Sequence, residues 1–245
     1  MTKIITLIPA RAGSTRVPNK NLQLIRRKTL VQIAIEQSLK IKNNNVFVST
    51  NCEKIESIAK KNGARVIIRD DSLCTPNATS ISCILDFLSK ETDINPTDLI
   101  CFKPCTNPFL THESFIGMVK LIRSKRNAVS VVSITEPSTH PFRLIDLRRS
   151  GYIQNAIFTL KGKNINNTER SQDWPQIYEG SPALRITKAS HFQQILVKSD
   201  NLSQVRGKTY NTDRCLGYPI SQLEAFDIDT QKDLQLSRKL CPNYI

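Results

Sequence analysis

Short runs of apolar, mostly β-branched residues recur through the first half of the chain, and amphipathic stretches separate them. The runs fall at Lys3–Ile8, Val46–Thr50, Arg65–Ile68, Leu99–Lys103 and Ala128–Ile134. Each has the length of one strand and is apolar enough to be covered on both faces. Between them, Leu30–Ile41, Glu53–Asn62, Ser80–Lys90 and Glu113–Arg126 repeat apolar positions at helical spacing, as in Leu30, Ile33 and Ala34. Asn62-Gly63 is a helix stop, and Thr79 and Thr111 stand where N-caps are expected. Strands alternating with covering helices predict an α/β fold with a doubly wound, mostly parallel sheet. Ligands of such sheets bind outside the carboxyl ends of the strands, which singles out the loops after Ile8, Thr50, Ile68 and Lys103.

The alternation loosens after Ser138. Thr139–Gly180 holds Pro141, Pro175, Gly151, Gly162, Gly180 and the Asn-rich piece Lys163–Asn167. That composition predicts an excursion from the sheet, a lid or dimer arm, and not a second core. The pattern resumes with strand-like Ala183–Ile186 and Ala225–Ile228 and a closing helix, Gln231–Leu240. No repeat or linker divides the chain. Residues 1–245 read as a single domain, with residues 139–187 as the excursion and its return.

Composition changes this picture little. Hydrophobic residues at 39% and charged residues at 23% are ordinary for a globular protein. No apolar run reaches the length of a membrane span, and Met1-Thr2-Lys3 does not open a signal peptide, so a cytoplasmic protein without a membrane partner is expected. The 7 cysteines, odd in number and without a Cys-x-x-Cys pair, read as reduced thiols; with 3 scattered histidines they do not suggest zinc. The net charge of +14 suits nucleic acid, an acidic surface or an anionic small substrate. The basic residues are dispersed, however, and no zinc-finger or RNA-binding aromatic motif accompanies them, so nucleic acid is not indicated.

Candidate chemistry begins directly after the first strand. Ile8–Asn21, "IPARAGSTRVPNKN", sets Arg11, Arg16 and Lys20 around Ala12-Gly13-Ser14. It has neither the glycine and lysine spacing of a P-loop nor the Gly-x-Gly-x-x-Gly of a dinucleotide site. It does offer a strand end, a small-residue turn whose N–H groups can approach an anion, and cations able to grip phosphate. On spacing alone, a solvated basic turn reads equally well. A second candidate is Asp227 and Asp229. Two carboxylates on one face of a strand repel unless a cation lies between them, and Mg2+ suits such a pair together with substrate phosphates. The alternative is an exposed strand-end pair ahead of the helix. Asp233 reads as a helix first-turn acid.

Ile8–Asn21 resembles the signature of the acylneuraminate cytidylyltransferases, Ile-Pro-Ala-Arg-x-Gly-Ser-Lys-Arg-Ile-Pro-x-Lys-Asn, with Thr15 and Val17 as mild changes. Further segments resemble that family in order along essentially the whole chain. They are "VFVSTN" (Val46–Asn51), "IIRDDSLCTPNATSI" (Ile67–Ile81), "TERSQDWPQIY" (Thr168–Tyr178) and "AFDIDTQKDLQLS" (Ala225–Ser237). The resemblance implies a nucleotidyltransferase (Rossmann-like) fold and transfer of CMP from CTP to a nonulosonic acid, with Mg2+ and a homodimer. It implies a nucleotide site of Ala10, Arg11, Gly13, Ser14, Lys20, Asn21, Arg69 and Ser80. Arg11, Lys20, Asp227 and Asp229 would be catalytic, the two aspartates through the metal. Lys103, Thr106, His140, Gln172, Asp173 and Tyr178 are expected near the sugar. The chain departs from the pattern where the family shows Gln-Pro-Thr-Ser-Pro-Leu-Arg and this sequence has Pro104–Leu110; it departs again at Pro76, Ser171 and Gly180–Arg185. Those changes fall on the base and sugar pockets and leave two rivals: a 3-deoxy-octulosonate cytidylyltransferase, and a non-catalytic anion- or nucleic-acid-binding relative of the fold.

Overall fold

The β-branched runs assemble into one seven-stranded sheet. Its strands in chain order are β1 (Ile4–Pro9), β2 (Asn44–Thr50), β3 (Arg65–Ile68), β4 (Leu99–Phe102), β5 (Ser130–Thr135), β6 (Glu179–Lys188) and β7 (Cys215–Pro219). Across the sheet they lie in the order β7-β5-β6-β4-β1-β2-β3. The computed structural model describes residues 2–240, except 76, 169, 206 and 208 and the side chain of 203. All neighbours are parallel except that β6 runs antiparallel to both β4 and β5. The doubly wound, mostly parallel sheet expected from the alternation is therefore present.

Among the described residues, six helices cover the sheet: α1 (Leu30–Leu39), α2 (Glu53–Lys61), α3 (Ser80–Lys90), α4 (His112–Ser124), α5 (Ala189–Val197) and α6 (Gln231–Leu240). Thr79 and Thr111 cap α3 and α4 as expected, accepting from Ser82 N and Ser114 N. Side chains alternate along β1, so Ile4 and Ile8 pack on one face with α1, α2, α4 and α6. Ile5 and Leu7 point the other way, to α3 and α5. Phe47 and Phe87 meet edge to face in that second layer, with centroids 4.9 Å apart. Burial on both faces explains why the strands read as continuous apolar runs.

Three elements differ from expectation. Ala225–Ile228 is not a strand but an irregular loop ahead of α6, so alternation along a strand does not align Asp227 with Asp229. The seventh strand is Cys215–Pro219, at the edge of the sheet, where a glycine and a proline in so short a run hide its character. A Cβ at Gly217 would lie 2.7 Å from Ile134 Cδ1, so that side chain would have to move to admit one. Helix α5 was also unanticipated; its buried Ala189 and Phe192 give only a weak apolar stripe.

The excursion leaves the sheet at the end of β5 and returns at the start of β6, where Glu179 pairs with Thr135. It contains single 3-10 turns and two small antiparallel ladders, Ile145–Leu147 with Ile153–Asn155 and Thr159–Leu160 with Lys163–Asn164. Its local cluster is His140, Phe142 and Trp174. Outside that cluster, Leu147, Tyr152 and Ile153 are 69%, 75% and 64% exposed, leaving an apolar surface uncovered.

Candidate active site

The loop after β1 is braced from within. Ala10 is buried and its N–H donates to Ser49 O at 2.9 Å. Arg11 turns its Nη1 back onto the carbonyls of Ala12, Gly13 and Cys74, at 3.2, 3.3 and 3.2 Å. Asn21 Nδ2 donates to Arg11 O, and the Ala12 N–H donates to Asn51 Oδ1, each at 3.1 Å. Gly13 sits at φ +79°, which favours glycine. No described residue accepts from the N–H of Gly13 or Ser14. A cavity of about 310 Å³ opens here, lined by Arg11, Ser14, Arg16, Lys20, Asn21, Arg69 and Ser80 among others. Arg69 is buried and held by Ser49, through Nε to Oγ and Nη2 to the carbonyl, both at 2.9 Å. Several cations, free backbone N–H groups and the first turn of α3 face one space. That space suits a polyphosphate.

The loop of residues 225–229 lies against this cavity and is pinned by the segment after β4. Asn107 Nδ2 donates to Phe226 O at 3.0 Å and Ala225 O at 3.4 Å, while Ile228 N–H donates to Thr106 O at 3.0 Å. Asp233 closes the other end, accepting from the N–H groups of Asp229 and Thr230, so its first-turn role holds. Lys20 Nζ then reaches Ile228 O at 2.9 Å and Asp229 Oδ1 at 3.0 Å, and Arg16 reaches Asp229 Oδ2 at 3.2 Å. Asp227 is half-buried, and its Oδ1, shut off from solvent, has no hydrogen-bond partner among the described residues. Burial raises its carboxyl above the usual carboxylate range, reinforced by the Asp229 charge and opposed by the Thr106 hydroxyl and by Lys20.

That orphaned oxygen tests a metal. Among the described residues no group of three or more His, Cys, Asp or Glu gathers as a ligand set. Asp227 offers one unsatisfied oxygen, whereas both oxygens of Asp229 are held by Arg16 and Lys20, so a Mg2+ at this place would take most of its ligands from phosphate and water.

A second cavity, of about 320 Å³, is bordered by Asp227. Thr135, Glu136, Ser138, Glu179, Ser181, Gln222 and Asp227 line it. The 225–229 loop is thus linked to both spaces: Lys20, which bonds it, borders the first, and its Asp227 borders the second.

The expected sugar-side residues separate on inspection. Tyr178 borders a smaller space with Thr135, Glu136 and Gln222, next to the second cavity. Thr106 faces Asp227 and holds it. Lys103 lines neither of these cavities; it is fully buried, its amine has no partner, and burial lowers it to about 8. His140 is tied into the excursion, its Nδ1 accepting from Phe142 N–H and its Nε2 3.1 Å from Pro175 O. Gln172 and Asp173 lie in an exposed 3-10 turn bordering neither cavity. Sequence reasoning missed Asn107, Glu136, Glu179 and Gln222. No local motif marks them, since only the pairing of β5 with β6 brings Glu136 and Glu179 together.

Comparison with known proteins places the chain among enzymes of one chemistry. A family model described as "Cytidylyltransferase" matches residues 5–243. The CMP-N,N'-diacetyllegionaminic acid synthase of Legionella pneumophila is 32% identical, over 97% of this chain and 96% of its own length. The N-acylneuraminate cytidylyltransferase of Streptococcus agalactiae is 28% identical over 94% of this chain, which spans 51% of that protein. A solved CMP:2-keto-3-deoxy-manno-octonic acid synthetase complexed with CTP has a TM-score of 0.70 at 14% identity, covering 99% of each chain, a likeness of fold.

Proposed function

The chain belongs to the cytidylyltransferase family, and from that membership we propose that it transfers CMP from CTP to the anomeric hydroxyl of a nonulosonic acid. The observation that carries this reading is the junction at Lys20. One side chain there bonds both Ile228 O and Asp229, between a cationic cavity and a second cavity floored by Asp227. A triphosphate in the first space and a sugar in the second would meet at that point.

In the proposed reaction the sugar hydroxyl gives its proton to solvent as its oxygen bonds the α-phosphorus, the bond from that phosphorus to the bridging oxygen breaks, and pyrophosphate leaves with that oxygen. Lys20 and the free N–H groups of Gly13 and Ser14 neutralise the departing phosphates, and Arg11 keeps those N–H groups in place. Arg69 and Ser80 hold the nucleotide end of the cavity. Asp227 and Asp229 would hold Mg2+, which when bound neutralises phosphate charge and lowers the pKa of the attacking hydroxyl. Holding donor and acceptor on either side of one pinned loop supplies the orientation part of catalysis. The uncovered apolar surface of the excursion fits a second copy of the chain, making a homodimer.

The test is pyrophosphate release from CTP with Mg2+ against a panel of nonulosonic acids and 3-deoxy-octulosonate. Release with nonulosonic acids supports the proposal, and release with octulosonate alone favours the related synthetase. Silence throughout, with salt-dependent retention on nucleic acid, favours the non-catalytic relative.

A further inference from the structure

The cations Arg11, Arg16, Lys20 and Arg69 that line the first cavity fall into two pairs. Arg11 and Arg69 spend their guanidinium groups on neutral oxygens, the carbonyls of Ala12, Gly13, Cys74 and Ser49 and the Ser49 hydroxyl. Arg16 and Lys20 instead share one carboxylate. Arg16 Nη1 lies 3.2 Å from Asp229 Oδ2 and Lys20 Nζ lies 3.0 Å from Oδ1, so each oxygen of Asp229 already has a cation. The two bonds are unequal. The Arg16 side chain is 67% exposed and has Asp229 as its one partner among the described residues; that of Lys20 is 13% exposed and also holds Ile228 O. Asn107 and Asp233 pin the backbone before and at Asp229, so only side chains need turn to undo these bonds.

Resting on the nucleotide reading above, we infer that Asp229 is a built-in counter-anion: it occupies Arg16 and Lys20 until a triphosphate displaces it, and only then is it free to hold a metal. Carboxylate and phosphate compete for the same guanidinium and ammonium donors, and the triphosphate brings more oxygens and more charge. While Asp229 is clamped between two cations, a divalent ion brought to it meets two like charges at close range. The empty protein therefore binds little metal there. Once phosphate takes Arg16 and Lys20, both oxygens of Asp229 lose their cations, near Asp227 with its partnerless Oδ1. Two bare carboxylates beside phosphate make a place for a hard divalent ion. Nucleotide and metal thus strengthen each other's binding through one side chain, and linkage makes the effect reciprocal. The contact keeps the metal site shut until there is a nucleotide to use it.

The test measures binding without turnover. Calorimetry with CTP in EDTA is expected to show Asp229→Asn binding about five-fold tighter than wild type, because phosphate no longer competes with a carboxylate. In an Arg16→Gln background the same change should gain only about two-fold or less. Plain repulsion between Asp229 and the triphosphate predicts the opposite, a gain as large or larger once Arg16 no longer screens the charge; that result overturns the inference. So does an unchanged or weaker affinity in Asp229→Asn. In the nucleotide-free protein, Mn2+ followed by the paramagnetic resonance of the free ion should bind Arg16→Gln about three-fold more tightly than wild type. Adding Asp229→Asn to that variant should remove the gain. Equal Mn2+ binding by wild type and Arg16→Gln overturns the inference, and pyrophosphate release then leaves the transfer standing. Wild type that binds no CTP even with Mg2+ removes the nucleotide reading, and the inference with it.

Discussion

At Asp227 the fold holds a carboxylate with one oxygen shut away from water and partners. Burial, and then the neighbouring Asp229 charge, raises its pKa. The folded state therefore resists its ionisation, and the stability linked to this group is present at low pH and lost as pH rises through the raised value. Asp227→Asn is expected to stabilise the ligand-free protein at neutral pH by about 1 kcal/mol, or about 2–4 °C in Tm. The gain should vanish in acid. The same change should cut pyrophosphate release about a hundred-fold, close to 3 kcal/mol in the barrier. Melting curves against pH and a steady-state assay check the two halves. Lys103 is the basic counterpart, lowered by burial to about 8 with no partner for its amine. For this group stability is present above the unfolded value and is lost as pH falls through about 8. Between those limits, wild-type Tm should climb with pH while Lys103→Met, of similar shape, stays flat.

At the scale of elements, the site depends on how the segment after β4 grips the loop before α6. Asn107 is fully buried, and its amide joins two carbonyls of that loop. Asn107→Ala leaves both carbonyls without their donor, at a cost of about 1–3 kcal/mol. The expected result is a Tm lower by several degrees and, because Asp227 and Asp229 lose their setting, a kcat reduced about ten-fold or more. Thermal melts and initial rates measure each. This grip also shows where the sequence was legible and where it was not. Short continuous apolar runs and helical spacing revealed the five leading strands and the helices among them, because burial on both faces leaves such runs. The edge strand Cys215–Pro219 carries too little pattern to be seen, and Ala225–Ile228 looks strand-like because Ile228 is buried from a loop. The basic loop was readable because Arg11, Gly13, Ser14 and Lys20 lie within one turn-rich stretch. Glu136 and Glu179 lie 43 positions apart by number and become neighbours only through sheet register. Lys103 and His140 show the converse, polar residues near the expected place whose side chains are turned elsewhere.

For the molecule as a whole, the excursion's apolar ladders leave Leu147, Tyr152 and Ile153 in solvent. A homodimer is the expected state in light scattering, and Leu147→Glu with Tyr152→Glu should yield monomers whose fold is intact, since both side chains stand in solvent. The nucleotide cavity should remain competent in such monomers, because none of the residues that line it comes from the excursion. The reversal of β6 carries this separation further. The chain leaves the sheet at Thr135 and re-enters at Glu179, and those two residues pair with each other. A segment whose ends are clasped side by side behaves as an exchangeable cassette: its length and contents can change without shifting any strand that borders the cationic cavity. The excursion can thus vary while the sheet and the cationic cavity stay as they are.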